Sequence, residues 1–225
     1  MRCVIFDLDG TLANTSGDLI AAANVALDTM GIAARLIPGR DDTTALRGGR
    51  AMLRLAADRA GLADAAGAAM VDQGYPLLLS AYGEAIDHHT VLYEGVKPAL
   101  ARLRARDITL GVCTNKPEEL ADQLLRRLGV RDTFATLIGA DTLPTRKPDP
   151  APLWAAIDRA GGNRARACLI GDTITDRDTA HACGIPAVLV TFGPMGADVA
   201  TLAPDATLDH YDMLDDVVDR IIPNT

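Results

Sequence analysis

The chain has 225 residues, 48% of them hydrophobic, and a formal net charge of −8, which is enough apolar material for one large domain or two unequal ones. The acidic balance and the 4% aromatic content argue against a nucleic-acid partner or an anionic membrane surface, since both basic faces and stacking platforms are lacking. A small anionic substrate stays open, because a metal ion or a few local cations outweigh global charge at short range.

No segment approaches the roughly 20 apolar residues of a membrane span and no secretory h-region precedes Asp7, so a cytoplasmic protein is expected. Cys3, Cys113, Cys168 and Cys183 are widely spaced, and three of them fall inside apolar runs. That pattern predicts reduced thiols in the core and not a disulfide framework or zinc site. His88, His89, His181 and His210 show no metal-ligand spacing.

The first strand is predicted over Cys3–Phe6 and runs into Asp7-Leu8-Asp9-Gly10-Thr11-Leu12. Gly10 permits a tight turn in which Asp7 and Asp9 converge as a reactive pair, although Asp and Gly are also ordinary turn residues. Residues 15 to about 90 carry no convincing strand and read as wholly helical. Thr15 and Asp18 resemble a capping box, followed by Leu19, Ala23, Ala26, Leu27 and Met30 on one helical face and a stop at Gly31. Further helices are expected over Arg50–Ala60, Ala63–Leu79 and Ser80–Asp87, punctuated by Gly39, Gly48-Gly49, Gly61 and Gly74.

From about residue 95 onward, short apolar runs alternate with segments of helical spacing, the pattern of a parallel sheet. Strands are predicted at Thr109–Cys113, Phe134–Ile138, Ala167–Ile170 and Ala187–Val190, with an edge strand at Ala206–Leu208. Helices are predicted at Val96–Arg106, Glu118–Leu128, Ala151–Ala160, Thr175–Cys183 and Tyr211–Ile221. The expected fold class is therefore α/β: a Rossmann-like parallel sheet core, residues 1–14 and 91–225, with an inserted all-helical cap, residues 15–90. Two crossings, near Ala13-Asn14 and Thr90 to Gly95, permit a hinged lid; a static helical layer is the alternative.

Ligands of open α/β sheets collect beyond the carboxyl ends of the strands. There the sequence places Asp7 and Asp9 after the first strand, Thr114-Asn115-Lys116 after the second, Lys147-Pro148 after the third, and Gly171-Asp172 with Asp176 after the fourth. These four segments in this order resemble the motifs of the haloacid dehalogenase superfamily of phosphatases, specifically its phosphoglycolate phosphatase-like branch with a helical cap. The resemblance covers essentially the whole length. It implies that Asp7 is the nucleophile and Asp9 the general acid and base. Thr114 and Asn115 would be phosphate ligands, Lys147 the charge-balancing cation, and Asp7, Asp9, Asp172 and Asp176 the surroundings of a Mg2+ ion.

The chemistry suits those residue types. A carboxylate attacking a phosphomonoester meets repulsion of about 4 kcal/mol per charge pair at about 4 Å and an effective dielectric of about 20. A hard oxygen-seeking ion between carboxylates, with a lysine on another side, offsets it. Asp9 also bears on reaction type, because superfamily members that expel halide need no acid there. The lysine that phosphonate hydrolases carry in the cap is missing, since residues 15 to 90 contain none.

Arg47-Gly48-Gly49-Arg50 resembles the specificity loop of helical-cap phosphatases, with Arg47 and Arg50 able to grip a substrate carboxylate; an interhelical turn with solvated arginines is the plain alternative. Asn14 and Glu94 depart from the branch, which commonly has aspartate and proline there. The expected activity is hydrolysis of a small phosphorylated metabolite, 2-phosphoglycolate foremost. Sugar-phosphate or nucleotide phosphatase, pyrophosphatase, phosphoglucomutase-like transfer and a non-catalytic phosphate sensor are the alternatives. A homodimer is compatible with the sequence.

Overall fold

Cys3-Val4-Ile5-Phe6 has no charged side chain and no helical spacing, and it forms β1 (Cys3–Phe6), buried along its whole length. The computed structural model describes residues 1–62 and 64–223. After β1 and the two-residue β2 (Ala13–Asn14) come four helices: α1 (Ser16–Thr29), α2 (Asp42–Ala45), α3 (Gly49–Arg59) and α4 (Asp64–Glu84). The chain returns through β3 (Val91–Leu92), which pairs with β2. It then alternates through α5 (Val96–Ala105), β4 (Thr109–Cys113), α6 (Glu118–Arg127), β5 (Thr136–Ile138) and α7 (Pro150–Arg159). β6 (Ala167–Gly171), α8 (Ile174–Ala182), β7 (Ala187–Val190), β8 (Ala206–Leu208) and α9 (Leu214–Ile221) complete it. Two compact units result, Met1–Asn14 with Leu92–Thr225, and Thr15–Val91.

The first unit is a six-stranded sheet in the order β5-β4-β1-β6-β7-β8, with every neighbouring pair parallel. Relabelled by appearance within the sheet, this is the doubly wound 3-2-1-4-5-6 order, whose direction reverses between β1 and β6. Burial on both faces explains the continuous apolar runs. Cys3 and Ile5 face one side with Cys113, Ile138 and Leu169, packed against Leu153, Ala156 and Ile157 of α7 and Ala180 of α8. All four cysteines are free thiols in buried positions. Burial pushes Cys3, Cys113 and Cys183 up to about 12 and Cys168 higher still.

Among its described residues, the regular structure of the second unit is helical except at its last residue, Val91. Its burial pattern follows the expected face of α1, with Leu19, Ala23, Ala26 and Leu27 buried. Three local expectations are corrected. Thr15 stands at the N-cap of α1 without a side-chain cap bond. Asp18 turns instead to the far end of the unit, accepting from His89 N, Thr90 N and Thr90 Oγ1 at 2.7 to 3.0 Å, and no capping box forms. α4 runs unbroken from Leu79 into Ser80 and on to Glu84 where two helices were expected, and Gly74 within it is a close-packing position: a Cβ there would lie 2.7 Å from Met30 Cε and 3.2 Å from a Leu53 methyl. The expected start of that helix at Ala63 lies outside the described residues. The short α2 was not foreseen, since four residues carry too little periodicity to register.

Among the described residues, no helix is long and apolar enough to cross a membrane.

Candidate active site

The reversal of strand order puts the crevice at the carboxyl ends of β1 and β6, and each strand is followed there at once by an aspartate. Phe6 is in register with Ile170, and Asp7 N donates to Ile170 O at 2.9 Å, so Asp7 continues the ladder by one residue. Gly10, at φ +80°, then reverses the chain, with Leu12 N and Ala13 N donating to Leu8 O at 3.0 and 3.2 Å. Asp172 follows Gly171, and Thr11 Oγ1 donates to its Oδ1 at 3.2 Å.

Asp176 sits on the first turn of α8, where it forms a capping box with Thr173. Thr173 Oγ1 and N donate to its Oδ2 at 2.7 and 3.1 Å. This approach depends on Gly171, since a Cβ there would stand 2.3 Å from Asp176 Cβ.

One carboxylate oxygen each from Asp7, Asp172 and Asp176 fall within 4.8 Å of one another. Into this group reaches the ammonium of Lys147, 2.6 Å from Asp176 Oδ1 and 3.1 Å from Asp7 Oδ1. Asp7 Oδ1 also accepts from Leu8 N at 2.7 Å. Three acids against one cation is an excess of negative charge in a buried place. Burial first, then the charges of Asp176 and Asp9, raise Asp7 to about 6 although Lys147 pulls the other way. Burial and the charges of Asp176 and Asp7 hold Asp172 well above the ordinary carboxylate range. Burial opposes the charge on Lys147, but Asp176 and Asp7 outweigh it and raise its pKa. An all-oxygen donor set with surplus negative charge fits a hard divalent cation.

Of the other expected residues, Thr114 is buried directly beyond β4 and its Oγ1 accepts from Lys116 N at 3.2 Å. Asn115 Nδ2 donates to Lys147 O at 3.0 Å, tying two of the expected segments together. The Asp9 carboxylate is not one of the three gathered acids. It faces Lys116, whose Nζ lies 2.9 and 3.2 Å from its two oxygens.

Residues 4–190 match the family model described as haloacid dehalogenase-like hydrolase. The chain belongs to the haloacid dehalogenase-like hydrolases. It is 37% identical to a phosphoglycolate phosphatase of Mesorhizobium japonicum over 97% of this chain and 96% of that one. It is 34% identical, over the same shares, to a phosphoglycolate phosphatase of Chromobacterium violaceum. A crystal structure described as a predicted phosphoglycolate phosphatase from Haemophilus somnus superposes with a TM-score of 0.80 at 25% identity, covering 96% of this chain and 97% of that one. The protein is thus a phosphatase of the haloacid dehalogenase-like hydrolases, on the α/β Rossmann-like core expected of them.

The arginines expected to select a substrate lie in the helical unit. Arg47 is exposed between α2 and α3. Arg50 Nη1 pairs with Asp72 Oδ1 at 2.7 Å, and its guanidinium lies 4.8 Å from the centre of the Tyr75 ring.

Sequence reasoning missed two contributors to this haloacid dehalogenase-like site. Thr11 buttresses Asp172 from the turn after β1, and its carbonyl accepts from Tyr211 Oη at 2.8 Å. Lys116 meets Asp9 across the strand ends, and its only signal in the sequence is its place directly after Thr114-Asn115.

Proposed function

We propose that this protein is a magnesium-dependent phosphatase that acts through an aspartyl-phosphate on Asp7, with 2-phosphoglycolate as its substrate. One observation carries the chemistry: Asp7 and Asp172 follow adjacent strands at the reversal point of the sheet and, with Asp176, bring three acids within 4.8 Å of one another, two of them paired with the ammonium of Lys147. Asp7, Asp172 and Asp176 would hold the magnesium ion, directly or through water. When bound, the ion supplies charge neutralisation for the phosphoryl group and its attacking carboxylate.

The remaining steps belong to the chain's own groups. Thr114 and Asn115 donate to phosphoryl oxygens, and Lys147 offsets charge from a second side. An Asp7 carboxylate oxygen attacks phosphorus while the phosphorus–ester oxygen bond breaks, and Asp9 gives a proton to the departing alkoxide. Asp9 then takes a proton from water as the water oxygen attacks phosphorus. The bond to Asp7 breaks, and inorganic phosphate leaves.

Asp7→Asn should lower kcat by at least about 10⁴-fold, the scale on which removal of a nucleophile acts. Rapid quenching of wild-type turnover with hydroxylamine, followed by mass spectrometry, should find a hydroxamate at Asp7. Absence of magnesium-dependent turnover in wild type, or equal rates in Asp7→Asn, would overturn the reading.

The names of its relatives support 2-phosphoglycolate as the substrate. A panel with sugar phosphates, nucleotides and pyrophosphate should rank it first by kcat/KM. For the substrate carboxylate we keep Arg47 and Arg50. Arg47→Ala or Arg50→Ala should raise KM for carboxylated esters about 10-fold, as loss of a charge-assisted pair implies, and leave aryl phosphates nearly unchanged. Equal losses on both substrate types would remove the two arginines from that role.

A further inference from the structure

Lys116 has no part in the scheme above, yet it is placed with unusual care. Its side chain is only 4% exposed, although a lysine that buries its stem ordinarily keeps its ammonium in water. The backbone on either side is pinned: Lys116 N donates to Thr114 Oγ1 at 3.2 Å, and Lys116 O accepts from Ala140 N at 2.9 Å. From that anchor the ammonium spans both Asp9 oxygens, at 2.9 and 3.2 Å. Fixing so flexible a side chain costs rotamer entropy, and a buried ion pair returns little net stability. What the arrangement provides is orientation.

Asp9 needs orientation for two reasons. It is two residues from Asp7, and the like charges of the two carboxylates repel each other. A cation on its far side counters that repulsion. Contact with one oxygen would leave the carboxylate free to rotate about its Cβ–Cγ bond, and contact with both fixes its plane. Each carboxylate oxygen has two lone-pair sites, so the ammonium takes one position on each oxygen and leaves another for a proton in transit.

We propose that Lys116 is a positioning residue that holds the Asp9 carboxylate, through both of its oxygens, in line with the ester oxygen of the leaving group. This rests on Asp9 being the general acid of the proposed phosphatase reaction. The consequence concerns substrate chemistry. An alkoxide is a poor leaving group and needs its proton as the bond breaks; a nitrophenolate leaves almost without help. Because kcat/KM reports only steps up to departure of the leaving group, it isolates the acid role from the later hydrolysis of the phospho-enzyme.

The test measures kcat/KM at saturating magnesium for wild type, Asp9→Asn, Lys116→Met and the double variant. The substrates are phosphate esters whose leaving groups range from alkyl alcohols to nitrophenol. Lys116→Met should lose about 30- to 100-fold on alkyl esters, toward the lower end of what general-acid catalysis contributes, and less than about 3-fold on nitrophenyl phosphate. Asp9→Asn should show the same steepened dependence, and adding Lys116→Met to it should cost almost nothing further. Thermal unfolding and inhibition by inorganic phosphate check that each variant is folded with its phosphate site intact. Lys116→Gln, expected to behave as Lys116→Met does, takes its place if the methionine variant does not fold.

A uniform loss across all leaving groups in the Lys116 variants, or full additivity with Asp9→Asn, overturns the positioning role while leaving Asp9 as the acid. A flat leaving-group dependence in Asp9→Asn overturns the acid role itself, and the proposal with it.

Discussion

Both units bury aspartates, and they treat them in opposite ways. In the helical unit Asp41 receives Arg59 through both guanidinium nitrogens at 2.6 and 2.7 Å and Ile37 N at 2.7 Å. The Arg59 bonds lead in holding its carboxyl down to about 2. Asp18 is satisfied by His89 N, Thr90 N and Thr90 Oγ1. In the sheet unit Asp7, Asp172 and Asp176 gather with one ammonium, which pairs with Asp7 and Asp176, and Asp7 and Asp172 are both pushed up by burial and by the charge of Asp176. Burial alone therefore does not mark a functional acid. Several buried acids crowded on too few cations do, because folding has left a charge imbalance that a ligand must complete.

The strongest way to break this contrast is Gly171→Ala. The new Cβ would stand 2.3 Å from Asp176 Cβ and 2.4 Å from its Cγ, so either strand β6 or the α8 cap must move. We expect a loss of about 3 kcal/mol in denaturant unfolding, at the upper end of ordinary overpacking, together with loss of most phosphatase activity. The matched acid should answer differently: Arg59→Ala strands Asp41 in its buried setting and should cost about 2 kcal/mol. Chemical denaturation reads that value, and turnover of aryl phosphates should stay within about twofold.

The subtlest test is pH. Asp7, raised above its usual value to about 6, favours the folded state fully below about pH 4 and progressively less as pH rises through 6. Asp41, lowered to about 2, stabilises above about pH 4 and loses that contribution only as pH falls through 2. Metal-free protein should therefore be less stable at pH 7.5 than at pH 4.5 by on the order of 1–2 kcal/mol. Saturating magnesium or Asp7→Asn should flatten that difference. A stability that rises over this interval in metal-free protein would show that the acids are matched after all.

How much of this was legible in the sequence depends on the range of the interaction. The core strands were readable because a doubly covered strand must be a continuous apolar run, as Cys3–Phe6 and Ala187–Val190 are. The meeting of Asp7 and Asp172 was readable because strand ends in a parallel sheet share one edge. Side-chain direction was not. Whether Asp9 joins Asp7 or turns to Lys116 depends on a residue 107 positions away, and Asp18 reads as a helix cap until His89 and Thr90 arrive 71 and 72 positions later. The smallness of Gly74 likewise answers to distant residues, Met30 at the C-cap of α1 and Leu53 of α3.

The position of β1 carries a consequence for synthesis. Its residues leave the ribosome well ahead of their partners on either side, Thr109–Val112 and Ala167–Ile170. At about 5–20 residues per second, the second of those neighbours follows only after on the order of ten to thirty seconds. The helical unit, contiguous over Thr15–Val91, is complete well before then. Until β4 and then β6 follow, the nascent chain holds a wholly apolar strand with at least one edge unpaired. Asp7, next to it, is translated with β1 and acquires its neighbours only once Lys147, Asp172 and Asp176 have followed.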